Sequence, residues 1–138
     1  MTINNEDDEY ETPPKLYKSL CDKYNFFPVR DVCATELNSK CNHYLEDGLK
    51  EKWTKYNWCN PPHSMTKEFV IKAHEELSKG NYTLMIIPAN SICTKYAEEY
   101  IEGYAEYHPI FGRPQFLKDG KLSKFPSRNS YFVVIWRK

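Results

Sequence analysis

Four consecutive residues, Asn60-Pro61-Pro62-His63, combine hydrogen-bond acceptors with a stiff backbone. Proline fixes φ and carries no N–H, so two in succession make a rigid turn whose carbonyls have no local donor. Such a turn can aim the Asn60 amide oxygen and the Pro61 carbonyl at one point. Those are the two acceptors that an exocyclic amine needs, one for each N–H. The ring at the fourth position can cover the flat face of a base. An isolated Asn-Pro-Pro is also ordinary loop punctuation. Here it follows a strand-like Tyr56-Asn57-Trp58-Cys59 and precedes Ser64, a good helix cap, which marks it as a candidate catalytic loop.

The elements around the loop follow from periodicity and punctuation. Thr12 is suited to an N-cap and Pro13 to the first helical position. Leu16 and Leu20 then share a face, and the helix should fade at Tyr24-Asn25. Residues 26–33 read as a strand ending near Asp31, 35–40 as a short helix or turn, and 55–59 as a second strand. Ser64 is expected to cap a helix carrying Phe69, Ala73 and Leu77 on one face and closed by Gly80. Residues 82–87 form a buried-strand candidate stopped by Pro88, 94–102 a helix ended by Gly103, and 106–111 a strand. The last part, 115–117, Asp119-Gly120 and 130–136, reads as hairpin-like strands around a turn. Alternating strands and helices predict an α/β domain with a mainly parallel sheet and an antiparallel C-terminal edge. Ligands of such sheets bind beyond the carboxyl ends of the strands, where the proline loop falls.

With 138 residues the chain suits one domain over 1–138, of which the acidic residues 1–9 are expected to form a flexible leader. Apolar residues at 41% and charged residues at 28% are those of a globular protein. Eleven Tyr, seven Phe and three Trp supply both a core and flat faces for ligands. Formal net charge is zero, yet Arg113, Lys118, Lys121, Lys124, Arg128, Arg137 and Lys138 stand against Asp119 alone. This basic C-terminal third is either a phosphate-binding surface or a solvated face, and Arg113, Lys121, Lys124 and Arg128 are its candidate nucleic-acid contacts. No apolar run approaches the ~20 residues of a membrane span, so no membrane role is expected. Five cysteines without a framework pattern read as reduced thiols in an intracellular, cytoplasmic protein. His74 and His108 lack spaced partners, and Cys21 and Cys93 read as core fillers.

The chain resembles the phage-type DNA N-6-adenine methyltransferase (Dam) family along nearly its whole length. The residues carrying the resemblance are Glu11-Thr12-Pro13 with Leu16 and Leu20; Asp31-Val32-Cys33-Ala34 with Asn38, Lys40 and Cys41; Tyr44; Asp47-Gly48-Leu49 with Trp53; Cys59-Asn60-Pro61-Pro62 with Ser64; Ile87-Pro88-Ala89; Gly112-Arg113 with Phe116; and Phe125-Pro126-Ser127. The resemblance implies a Rossmann-like methyltransferase fold of reduced size that uses S-adenosyl-L-methionine (AdoMet) to methylate the N6 amino group of adenine in DNA. Tyr10, Thr12, Pro13, Asp31, Ala34 and Asp47 would then border the cofactor, with Thr12-Pro13 by its methionine part. Asn60, Pro61, Pro62 and His63 would be catalytic, His63 stacking on the base together with Trp58 or a nearby Tyr. The resemblance also implies a phage origin, hence a host-cell cytoplasm. The chain departs from the pattern at His63, where the family carries Tyr, Phe or Trp, and it has no Gly-x-Gly after Asp31.

Three other readings stay open on sequence. Such a loop also serves cytosine N4, RNA or a protein amide as acceptor. A non-catalytic AdoMet- or nucleic-acid-binding protein could keep the fold. A zinc module could use Cys41-x-His43 and Cys59-x3-His63 with Cys33, though these spacings differ from the usual Cys-x2-Cys pairs, and the expected metal is none. Recognition sequence and oligomeric state, a homodimer included, are left open.

Overall fold

A computed structural model describes residues 12–33, 39–41, 43–45, 47–112, 117–118, 121–122 and 130–138. Its elements are α1 (Pro14–Tyr24), β1 (Arg30–Asp31), β2 (His43–Tyr44), β3 (Tyr56–Cys59), α2 (Thr66–Ser78), β4 (Tyr82–Pro88), α3 (Lys95–Tyr100), β5 (Glu106–Ile110), β6 (Leu117–Lys118), β7 (Lys121–Leu122) and β8 (Tyr131–Trp136). Short 3-10 turns cover His63–Met65 and Ala89–Cys93. Six strands form one sheet in the order β2-β1-β3-β4-β8-β5. β1 to β4 pair in parallel, and β8 runs antiparallel to both β4 and β5. β8 is thus the reversed strand in a sheet whose other five members share a direction.

The central strands β3, β4 and β8 are largely buried on both faces, which explains their uninterrupted apolar runs. Met85, Ile87, Val134 and Trp136 face a core with Phe69, Val70 and Ala73 of α2 and Ala97 of α3. Leu84, Ile86, Val133 and Ile135 point the other way and pack with Leu20 of α1, Phe26 and Trp58. Strand residues alternate between the layers because successive side chains leave opposite faces. No helix among the described residues is long and apolar enough to cross a membrane.

Several expectations change. The antiparallel strand at the C-terminus lies inside the sheet, between β4 and β5, and β5 takes the edge. β8 is buried at five of its six positions, whereas β5 alternates between partly buried and exposed. Pro109 cannot donate to a ladder, which suits β5 to an edge. The strand expected at 26–33 shrinks to Arg30–Asp31, and β2, only two residues long, has no counterpart in the sequence reading. β6 pairs with β7 in a two-stranded sheet of its own, so 130–136 is not a partner of those strands, and Asp119-Gly120 lies outside the described residues. The element expected at 35–40, apart from residues 39–40, and the acidic leader lie outside the described residues.

Candidate active site

The carboxyl ends of β1, β3 and β4 meet on one edge. Asp31 is in register with Trp58 and Cys59 with Met85, so Asp31, the Asn60 loop and the Pro88 turn emerge side by side. Because β8 is reversed, its first residue, Tyr131, pairs with Pro88 and joins the same edge.

Thr12 does not cap α1. The cap position is Pro13, with no side-chain cap bond, and the Thr12 hydroxyl instead accepts a hydrogen bond from Asn60 Nδ2 at 3.0 Å. Thr12 is 1% exposed and Asn60 half-buried, and among the described residues Asn60 Oδ1 accepts no hydrogen bond. Pro61 and Pro62 are buried. Pro62 sits at φ −53°, ψ 137°, and its carbonyl accepts from Met65 N–H at 2.8 Å, which fixes the exit from the loop. Ser64 does not cap α2 either. It is exposed within the 3-10 turn, while Thr66, the first residue of α2, donates its hydroxyl to His63 O at 3.0 Å.

His63 Nε2 lies 3.2 Å from the buried Tyr131 hydroxyl, with ring centroids 5.8 Å apart at 44°. The two residues are 68 positions apart, and only the reversed β8 brings them together. Beyond His63 a cleft of about 290 Å³ opens between the two 3-10 turns, lined by Ser64, Thr66, Lys67, Asn90, Ser91 and Tyr96 among others. Sequence reasoning missed Tyr131, Asn90, Ser91 and Tyr96. The Pro88 break after a buried strand was the available signal for the Ala89–Cys93 turn.

Asp31 is 3% exposed, and its carboxylate accepts backbone N–H bonds from Cys33 at 3.2 Å and Lys40 at 3.0 Å. Its carbonyl accepts from Leu45 N–H at 2.8 Å, closing the loop between β1 and β2. Asp47 keeps a partly exposed carboxylate 3.9 Å from Lys50 Nζ. Gly48 beside it packs directly on the Val32 carbonyl and leaves no room for a Cβ. Trp53 fixes this approach by donating from its indole to Gly48 O at 2.6 Å and stacking on Phe69. Tyr10, Ala34, Arg113, Lys124 and Arg128 lie outside the described residues, as does the side chain of Lys121.

Trp58 cannot be a stacking platform. It is 1% exposed and makes an edge contact with Tyr17 at 4.7 Å. The cysteines do not gather with His63 either. Burial pushes the Cys41 thiol up to about 12, despite a hydrogen bond with Tyr17 that lowers it. Cys59 is fully buried and, by the same desolvation, held well above the ordinary thiol value. Zinc binds thiolates, and among the described residues no group of three or more His, Cys, Asp or Glu converges on a metal-sized site. Cys93, expected in the core, is exposed. His74 packs against the rings of Tyr100 and Tyr104, and His108 stacks on Tyr24, both structural placements.

The edge therefore collects an oriented amide, a proline turn, a ring held by Tyr131, and two carboxylates. The profile of the family described as DNA N-6-adenine-methyltransferase (Dam) matches residues 1–138. A DNA N-6-adenine-methyltransferase of Escherichia phage T1 is 30% identical over 96 residues, which cover 66% of this chain and 40% of that relative. The chain thus spans well under half the length of the curated relative it matches. On the match over its whole length, the chain belongs to the DNA N-6-adenine-methyltransferase (Dam) family.

Proposed function

We propose that this protein transfers a methyl group from AdoMet to the N6 amino group of adenine in DNA, on a Rossmann-like methyltransferase fold. The observation that carries the reading is the Asn60 amide, anchored through Nδ2 with Oδ1 left as an acceptor, at the start of a two-proline turn on the carboxyl edge of the sheet.

The cofactor suits the residues present. AdoMet is a cation at its ammonium and sulfonium groups, and Asp31 and Asp47 put carboxylates on this edge. Gly48, with no room for a Cβ, keeps the Asp47 turn tight against β1. Asp31, Asp47 and Pro13 would hold AdoMet together with Tyr10 and Ala34, whereas the Thr12 hydroxyl, expected beside the methionine part, is bonded to Asn60 Nδ2. When bound, AdoMet supplies an electrophilic methyl group.

Adenine N6 is a poor nucleophile because its lone pair is delocalised into the ring. Asn60 Oδ1 and the Pro61 carbonyl accept its two N–H bonds and draw the nitrogen toward a tetrahedral geometry. The lone pair is thereby localised for attack. This is positioning and electrostatic stabilisation, and it needs no strong base. The base must leave the duplex to reach the edge. The His63 ring, held by Tyr131, covers its face, and the neighbouring cleft with Lys67, Asn90 and Ser91 receives the adjoining nucleotide. Arg113, Lys121, Lys124 and Arg128 contact phosphates.

The test is to incubate the protein with methyl-labelled AdoMet and unmethylated DNA and to digest the product to nucleosides. Label in N6-methyl-2′-deoxyadenosine is expected. Label confined to N4-methylcytosine, to RNA or to a protein amide would replace the acceptor, and AdoMet binding without any transfer would leave only the binding reading.

A further inference from the structure

The amide of Asn60 has two ends of nearly equal size and opposite hydrogen-bonding character. With the oxygen toward the target amine, acceptor meets donor. With the nitrogen toward it, two donors face each other and the amine cannot be held. Nδ2 is 3.0 Å from Thr12 Oγ1, and Thr12 is 1% exposed, so the nitrogen end is directed into the protein. Thr12 is itself held firmly. It precedes Pro13 and Pro14, where φ is fixed, and as a β-branched residue its χ1 is restricted. Its hydroxyl is not spent on capping α1, which starts without a side-chain cap.

We propose that Thr12 is a positioning residue for the reaction, holding the Asn60 amide so that Oδ1 faces the target amine. This rests on the reading of Asn60 as an acceptor of that amine, and it gives Thr12 a role through Asn60 rather than through the cofactor. Thr12→Val removes the hydroxyl and keeps the shape, while Thr12→Ser keeps the hydroxyl.

Steady-state methylation of unmethylated DNA, with AdoMet affinity measured separately, separates the roles. Thr12→Val should lower kcat by about tenfold or more, since a misdirected group near the chemistry costs that much. The AdoMet Kd should stay within about twofold, and Thr12→Ser should recover most of kcat, because its hydroxyl can form the same bond. In an Asn60→Ala background, Thr12→Val should cost nothing further, as residues acting through one bond are not additive. A wild-type kcat in Thr12→Val, a loss seen only as weaker AdoMet binding, or additive losses would overturn the role. A second readout needs no DNA. The Asn60 side-chain amide NMR signals, assigned by their absence in Asn60→Ala, should exchange with water faster in Thr12→Val. Unchanged exchange would overturn the bond itself. A wild type that methylates no adenine yet shows this exchange difference would sink the adenine reading and leave the hold on Asn60 standing.

Discussion

Gly48 shows how much one residue can decide. A Cβ there would run into the Val32 carbonyl and the Phe69 ring, although the backbone needs no left-handed conformation. The requirement is close approach, which binds the Asp47 turn to the end of β1. Gly48→Ala is expected to destabilise the fold by about 1–3 kcal/mol, the usual range for overpacking, and to weaken AdoMet binding through displaced Asp31 and Asp47. Thermal unfolding and a binding titration check both. At this scale the sequence is readable where chemistry is local. Asn60-Pro61-Pro62 is rigid wherever it stands, and its reading needs only the strand before it. Thr12 looks like a cap in sequence because its true partner, Asn60, lies 48 positions away. Tyr131 looks like no more than a strand residue, and Trp58 like a stacking ring, because burial cannot be judged from neighbours in sequence.

Between residue and fold, α2 shows how an element is anchored. Glu76 near its C-terminus is almost fully buried yet ionised. Burial raises its carboxyl pKa, but hydrogen bonds from Asn81 and Lys79 and the charge of Lys72 outweigh that and hold it below the ordinary 4.5. Asn81 Nδ2 donates at 2.8 Å, Lys79 Nζ lies at 3.0 Å and Lys72 Nζ at 3.3 Å, so the carboxylate clamps the end of α2 to the entry of β4. A folded pKa below the unfolded one means stability present above about pH 4.5 and lost as pH falls through the folded value. Glu76→Gln should therefore cost about 1–3 kcal/mol at neutral pH. The difference from wild type should shrink in acid, as followed by denaturant melts from pH 7 to pH 3. A pH-independent difference would mean that the charge is not the clamp. Element boundaries are legible where punctuation is strong. The left-handed Asn25 ends α1, Pro88 ends β4, and Thr94 caps α3 by accepting from Ala97 N–H. The order of the strands is not legible, because the place of β8 depends on pairing across the sheet.

For the molecule as a whole, a formal net charge of zero conceals an uneven surface. Not every C-terminal cation is available for DNA. Arg137 is committed to Glu106 at 3.0 Å and to the Tyr24 carbonyl, tying β8, β5 and α1 together. That sets Arg137 apart from the other C-terminal cations, among which Arg113, Lys121, Lys124 and Arg128 are the proposed phosphate contacts. Neutralising these four should flatten the salt dependence of DNA binding, by about 0.9 in the log–log slope for each phosphate that is no longer neutralised. An unchanged slope would make them a solvated face. The α/β class and the candidate edge are both implied by alternating elements and a proline loop. The cleft, in contrast, needs β4, β8 and two 3-10 turns to assemble in space.

The central claim is that the Asn60 amide, at the head of the proline turn, activates the amine that is methylated. Wild type and Asn60→Ala should be compared with methyl-labelled AdoMet on unmethylated DNA, with AdoMet affinity measured for both. The expected result is label in N6-methyl-2′-deoxyadenosine for wild type and transfer about a hundredfold slower in the variant, the scale of losing one transition-state hydrogen bond, at unchanged AdoMet affinity. Equal transfer by the two proteins would contradict it.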